Sequence, residues 1–111
     1  MAAAIISLPA AIRRGDIVTV RALIQHPMET GYRRDAGGIL LPRDLIRRFT
    51  CHVIEGDARM LAFSAELHAA IAANPLIAFS LKADRDCVLE FQWSGDNGFV
   101  HRESRSVRFL A

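Results

Sequence analysis

Apolar and polar side chains alternate along most of this chain. From Asp16 to Gln25, Val18, Val20, Ala22 and Ile24 fall on one side, with Thr19 and Arg21 opposite. From Arg48 to Glu55, Phe49, Cys51 and Val53 face one way and Arg48, Thr50 and His52 the other. Ile77, Phe79 and Leu81 form a third inner row, and Cys87, Leu89, Phe91 and Trp93 form a fourth. Arg105 to Leu110 repeats the pattern with Val107 and Phe109 inside. A period of two belongs to strands with one buried and one wetter face. Met60 to Ser64 reads as a short strand with Leu61 and Phe63 aligned, and Ile5 to Leu8, stopped by Pro9, as an edge strand. Turn residues separate these runs: Arg14–Gly15–Asp16, Glu55–Gly56–Asp57 and the SGDNG stretch at 94–98. Helical promise is confined to Ala65–Ala73, rich in Ala with Glu66 and Leu67 and stopped by Asn74–Pro75.

About seven short strands without strand–helix alternation predict two packed antiparallel sheets, an immunoglobulin-like β-sandwich. A small closed barrel is the competing architecture. The chain has 111 residues, enough for one core burying roughly two-thirds of the extended surface. A single domain over 1–111 is therefore expected. The 51% hydrophobic content argues against disorder. No stretch approaches the length of a membrane-spanning helix, so no membrane insertion is expected, and the MAAAIISLPAAIRRG start lacks the charged leader of a secretory signal.

Net charge is only +2, but its placement is uneven. Arg13, Arg14, Arg21, Arg33, Arg34, Arg43, Arg47 and Arg48 all lie in the first half, and Lys82 is the chain's one lysine. Guanidinium forks suit fixed contacts with carboxylates better than a mobile ammonium does. A basic half fits an acidic partner face or an anion, or simply a solvated rim. Nucleic acid is not the expected partner, because interleaved aromatics are missing: Phe49, beside Arg47 and Arg48, belongs to an inner row.

Catalytic chemistry finds few footholds. There is no GxSxG elbow, and the acids are scattered, with Asp84 and Asp86 beside Lys82 and Arg85 in a solvated turn. His26, Met28 and His52 are the residues a copper or zinc module would use. However, Cys51 and His52 point to opposite faces of one strand, and neither a CxxC pair nor an HxxxH spacing exists. No metal or other cofactor is expected. Cys51 and Cys87 lie on inner rows, either as a disulfide or as buried thiols acting as apolar filler. The DAGG stretch at 35–38 lacks the lysine and helix of a phosphate loop.

What remains is the polar, bendable segment HPMETGYRRDAGG, His26–Gly38, closed by Pro42. Pro27 ends the preceding ladder, and Gly31, Gly37 and Gly38 bend the chain. Tyr32 lies between Gly31 and the Arg33–Arg34 pair, and Tyr and Arg are enriched in protein–protein contacts. The segment is read as a binding element, its contact set being His26, Pro27, Met28, Glu29, Tyr32, Arg33, Arg34 and Arg43. The bland alternative is a disordered or decorative loop.

Residues 25–51, QHPMETGYRRDAGGILLPRDLIRRFTC, resemble the SoxZ family of the bacterial thiosulfate-oxidation carrier complex. The likeness continues through ELHAAIAANPLIAFSLKA (66–83) and FQWSGDNG (91–98). It implies an immunoglobulin-like sandwich that catalyses nothing and pairs tightly with a SoxY-like subunit. That subunit bears, on a Gly-rich C-terminal arm, the cysteine to which sulfur attaches. The SRSVRFLA end here holds neither cysteine nor glycine. The resemblance further implies a periplasmic site of action, reached by export with a signal-bearing partner. Arg33–Arg34 stands where relatives commonly have Lys beside the loop Asp, the usual Asn-Gly hairpin reads IEGDARML, and Trp93 is followed by Ser-Gly-Asp. These departures bear on partner identity, and leave open a carrier partner in another sulfur or dehydrogenase system. Self-assembly or binding of a small ligand is the remaining class.

Overall fold

The computed structural model describes residues 3–68, 71 and 73–108. Seven strands are present among them: β1 Ala4–Ser7, β2 Ile17–Ile24, β3 Ile46–Glu55, β4 Ala58–Glu66, β5 Leu76–Lys82, β6 Cys87–Gly95 and β7 Val100–Val107. They form two antiparallel sheets, β1-β2-β5 and β4-β3-β6-β7. The architecture is an immunoglobulin-like sandwich.

Its core is built from the inner rows the alternation predicts. Val18, Val20, Ala22 and Ile24 of β2 face Phe49 and Cys51 of β3 and Leu89, Phe91 and Trp93 of β6, all buried. Phe49 sits at the centre, with ring centroids 5.1 Å from Trp93 and 6.1 Å from Phe79. Phe63 and Phe79 stack at 4.5 Å and so join β4 to β5 across the sheets. Burying rings this size contributes on the order of 2–3 kcal/mol apiece.

Two-residue and three-residue turns close the hairpins where expected. Glu55 pairs with Ala58 across Gly56–Asp57, with Gly56 at φ +56°. A single 3-10 turn, Asp96–Gly98, links β6 to β7.

Two expectations need correction. Ala65 and Glu66 finish β4, and Leu67, His68, Ile71 and Ala73 are not helical; the rest of the expected helix, and Phe109 and Leu110 of the last strand, lie outside the described residues. Local Ala-rich propensity yields to the ladder with β3, because backbone pairing extends to Arg48–Glu66. Leu61 and Phe63 are also not aligned. A bulge at Ala62 sets Phe63 opposite inner Cys51 but Leu61 opposite outer His52. An inserted residue switches the face of everything beyond it. Met60 therefore turns toward Val53 and Leu81 at the end of the sandwich.

Candidate binding arm and its anchor

The chain between β2 and β3 is an ordered, two-legged projection. Glu29 and Asp44 exchange both backbone hydrogen bonds, each at 2.8 Å, and Leu41 N–H donates to the Arg33 carbonyl further out. Arg34 and Leu40 form a second bridge. At the tip, one Asp35 carboxylate oxygen accepts from the N–H groups of Gly37 and Ile39. Asp therefore makes a turn of its own here, which is why this residue type suits the tip. The molecule measures 59 × 26 × 21 Å.

The arm grows from a buried base. Met28 takes the left-handed conformation, φ +53°, which costs a non-glycine residue about 1–2 kcal/mol. Three contacts offset that cost: the side chain is buried, its sulfur accepts the Ile46 N–H at 3.3 Å, and its own N–H donates to His26 Nδ1 at 3.0 Å. Because Nδ1 accepts, the neutral His26 ring carries its hydrogen on Nε2, 3.6 Å from an Asp44 carboxylate oxygen. The ring packs edge-on against Phe99 at 4.9 Å.

Two distant segments clamp this base. Asn74, itself at φ +52°, accepts the His26 N–H on its side-chain oxygen at 2.8 Å and returns its backbone N–H to the His26 carbonyl at 2.7 Å. On the other leg, Asp96 accepts from Arg47 Nε at 2.8 Å and Leu45 N–H at 3.1 Å, lies 3.3 Å from Arg43 Nε, and donates its backbone N–H to the Leu45 carbonyl. The Arg47 hydrogen bond, opposed by partial desolvation and helped by Leu45 and Arg43, holds the Asp96 carboxyl below its usual range. Gly95 lets the two backbones touch: a β-carbon there would overlap the Leu45 carbonyl and lie 2.8 Å from Ile46 Cα.

The residues expected to make contact divide into two groups. His26 and Met28 are buried and hold the base. Glu29 is half-buried and paired with Arg33, whose hydrogen bond lowers the Glu29 carboxyl and raises the Arg33 guanidinium. Pro27 and Arg34 are exposed, and Arg34 also donates to the Gly38 carbonyl. Arg43 is exposed but turned toward Asp96. Tyr32 is 88% exposed, and Ile39 and Leu40 beside it are exposed as well. Reasoning from sequence missed Asn74, Gly95 and Asp96. Their signal was only that the AANP and SGDNG stretches are conspicuous; nothing local says that they meet the arm.

The other chemistry considered does not assemble. His52 lies opposite Glu90 on the outer face of the four-stranded sheet, away from His26 and Met28. Among the described residues no group of three or more His, Cys, Asp or Glu could hold a metal ion. Cys51 and Cys87 are free thiols, four positions apart in the β3–β6 register, with Cys51 opposite Phe91. Burial, then the neighbouring Cys87, pushes the Cys51 thiol up to about 12. Burial, then Glu55 and Asp86, raises Cys87 too. Neither is a ready nucleophile.

Comparison with known proteins gives the family and the fold. The family model described as sulphur oxidation protein SoxZ matches residues 6–106. A search of curated proteins found no match. Solved structures share the fold at low identity. Superoxide reductase (neelaredoxin) from Ignicoccus hospitalis is 15% identical with a TM-score of 0.73, covering 96% of this chain and 80% of that one. Superoxide reductase from Nanoarchaeum equitans is 12% identical, TM-score 0.67, covering 94% and 90%. The sulfur carrier protein SoxY from Chlorobium limicola f thiosulfatophilum is 13% identical, TM-score 0.65, covering 98% and 80%. Likeness at these identities concerns architecture alone.

Proposed function

The chain belongs to the SoxZ family of sulphur oxidation proteins, and on that premise we propose that it is the noncatalytic half of a two-subunit sulfur carrier. Its role is to bind and support a SoxY-like subunit whose C-terminal cysteine carries covalently attached sulfur during thiosulfate oxidation. The observation carrying this reading is the arm: an ordered projection whose base is fixed by two distant segments and whose end presents Tyr32, Ile39 and Leu40 to solvent. Large side chains held out on a rigid frame lose little freedom on binding, which favours a tight complex. Arg33 and Arg43 already answer Glu29 and Asp96, so they orient the arm, whose Arg33, Arg34 and Arg43 are balanced in charge by Glu29, Asp35 and Asp44. Direct placement of a sulfonate by Arg33 and Arg43 would require them to exchange partners.

The thiols fit a supporting role, since both are held protonated. Sulfur chemistry then resides on the partner. The complex acts in the periplasm, exported folded with a signal-bearing partner.

Co-expression with a SoxY-like subunit and affinity capture through that subunit tests the proposal. The expected result is a stoichiometric complex that Tyr32→Ala and Leu40→Asp weaken without unfolding the sandwich. A chain that stays monomeric beside that subunit would refute it. Fractionation with and without the partner's signal tests the location: without it, the protein should remain in the cytoplasm.

A further inference from the structure

The two outer faces of the sandwich differ in kind. On the four-stranded sheet polar groups answer one another: Arg59 of β4 pairs with Glu90 of β6, and Arg102 of β7 donates to Gln92 beside it. The strands of the three-stranded sheet hold no Asp or Glu. Their register instead lines up Ile5, Leu23 and Leu76 in one row across β1, β2 and β5. The adjacent Ala4, Ile24 and Ile77 turn into the core, so this row points outward. Ile5 and Leu76 are 64% and 57% exposed. Neighbouring strands lie about 4.8 Å apart, so the three side chains form a ridge about 10 Å across.

The next row on the same face is Ser7, Arg21 and Ala78. Among the described residues no hydrogen bond or ion pair engages the exposed Arg21 guanidinium. An unengaged arginine beside a contiguous apolar ridge suits a protein partner that presents a carboxylate among apolar side chains. The ridge stands at the end of the sheet from which the arm grows. β2 passes from Leu23 toward His26, and Asn74, which clamps His26, shortly precedes Leu76. Ala73 lines two clefts: one of about 380 Å³ along the arm's first leg, with Pro27, Thr30 and Arg33, and one of about 490 Å³ reaching Leu76 and Ala78. A partner seated against the arm is thus led onto the ridge.

On the reading that this chain supports a SoxY-like subunit, we propose that the outer face of β1-β2-β5 is a second docking surface for that subunit, which sets a carboxylate against Arg21 and apolar side chains across Ile5, Leu23 and Leu76. The partner is then recognised at two places, the arm and the sheet. Because none of the three strands supplies an acid to compete for Arg21, the partner's carboxylate finds that guanidinium open.

Isothermal titration calorimetry of the full-length chain with a SoxY-like subunit tests it, together with hydroxyl-radical footprinting of the unaltered complex. Arg21→Glu and Leu76→Asp should each weaken binding about tenfold or more, and Ile5 and Leu76 should lose labelling in the complex. Arg102→Glu, the same charge reversal on the outer face of the other sheet, should bind as the parent does. Far-UV circular dichroism shows that each variant remains folded. If Arg21→Glu and Leu76→Asp bind like the parent while Tyr32→Ala does not, the arm docks the partner alone; the sheet assignment is overturned and the proposed function stands. Unchanged labelling of Ile5 and Leu76 in the complex overturns the assignment whatever the variants do. So does equal weakening by Arg102→Glu, which would be an effect of bulk charge. Protection of both residues in the chain alone at rising concentration would give the ridge to a second copy instead. A parent chain that does not bind the subunit removes both proposals.

Discussion

Gly95→Ala tests the anchor of the arm most directly. Gly95 has φ −167° and ψ −156°, extended backbone open to any residue, so the substitution adds no torsional strain of the left-handed kind. The whole effect is steric. The new methyl overlaps the Leu45 carbonyl oxygen and stands 2.8 Å from Ile46 Cα and 3.0 Å from the Leu45 carbonyl carbon. These are backbone atoms, so no side-chain rotation relieves the clash. Either the Asp96–Gly98 turn or the returning leg of the arm must move. Overpacking of this sort costs about 1–3 kcal/mol. Moving apart also strains the Asp96 N–H to Leu45 carbonyl bond of 2.8 Å and the Leu45 N–H to Asp96 carboxylate bond of 3.1 Å, each contributing about 1 kcal/mol. A loss of about 3–5 kcal/mol follows, which for a chain this size lowers Tm by roughly 15–25 °C. Thermal and urea unfolding, followed by circular dichroism and by Trp93 fluorescence, measures it. Gly37→Ala is the control, because Gly37 is not in the left-handed region and its β-carbon would lie 3.4 Å from an Asp35 oxygen. If Gly95→Ala melts within about 1 kcal/mol of the parent, the claimed backbone contact is wrong.

Tyr32→Ala should leave unfolding unchanged within about 0.5 kcal/mol, as expected of an exposed side chain, yet weaken capture by the SoxY-like subunit by tenfold or more; isothermal titration calorimetry reads the second effect. Stability should fall on acidification. Arginine hydrogen bonds lower the Glu29, Glu90 and Asp96 carboxyls in the folded state, and the His101 bond lowers Glu103. A depressed carboxyl stabilises above its unfolded value, ordinarily 4.5 for Glu and 3.8 for Asp, and that stabilisation disappears as pH drops through the folded value. Urea midpoints should therefore be flat near neutrality and decline below these values; a midpoint that rises on acidification contradicts the ion-pair geometry. With its thiol pushed up to about 12, Cys51 should resist alkylation in the native protein at pH 8 and react fully in urea, as intact-mass spectrometry would count. Rapid native labelling of Cys51 would mean that the sheet opens there.

Much of the sandwich was legible because a strand writes its own burial into every second residue. Val18 to Ile24, Phe49 to Val53 and Leu89 to Trp93 needed no distant information to declare an inner face. The turns were equally local, since glycine and Asp-Gly chemistry is decided within a few bonds. The family, too, was readable, because HPMETG, AANP and SGDNG are linear strings. Where the reading failed, a contact between separate strands had overruled local preference. Ala65–Glu66 continued β4 because Arg48 and Phe49 lay alongside to pair with, and the bulge at Ala62 reversed Leu61 through a mismatch in ladder length that one strand alone cannot reveal.

The arm shows the same division. Its polar, glycine-punctuated composition marked a loop that does something, and Tyr32 and the arginines marked what it offers. Composition did not reveal that His26 and Met28 face inward, or that Asn74 and Asp96, 48 and 51 positions away from their partners, fix the base. Hydrogen bonds across such separations exist only once the sheets have brought the segments together. The sequence by itself determined most of the strands and their inner faces and the family; tertiary packing decided the face and extent of β4, and which of the arm's residues became anchor and which remained free to bind.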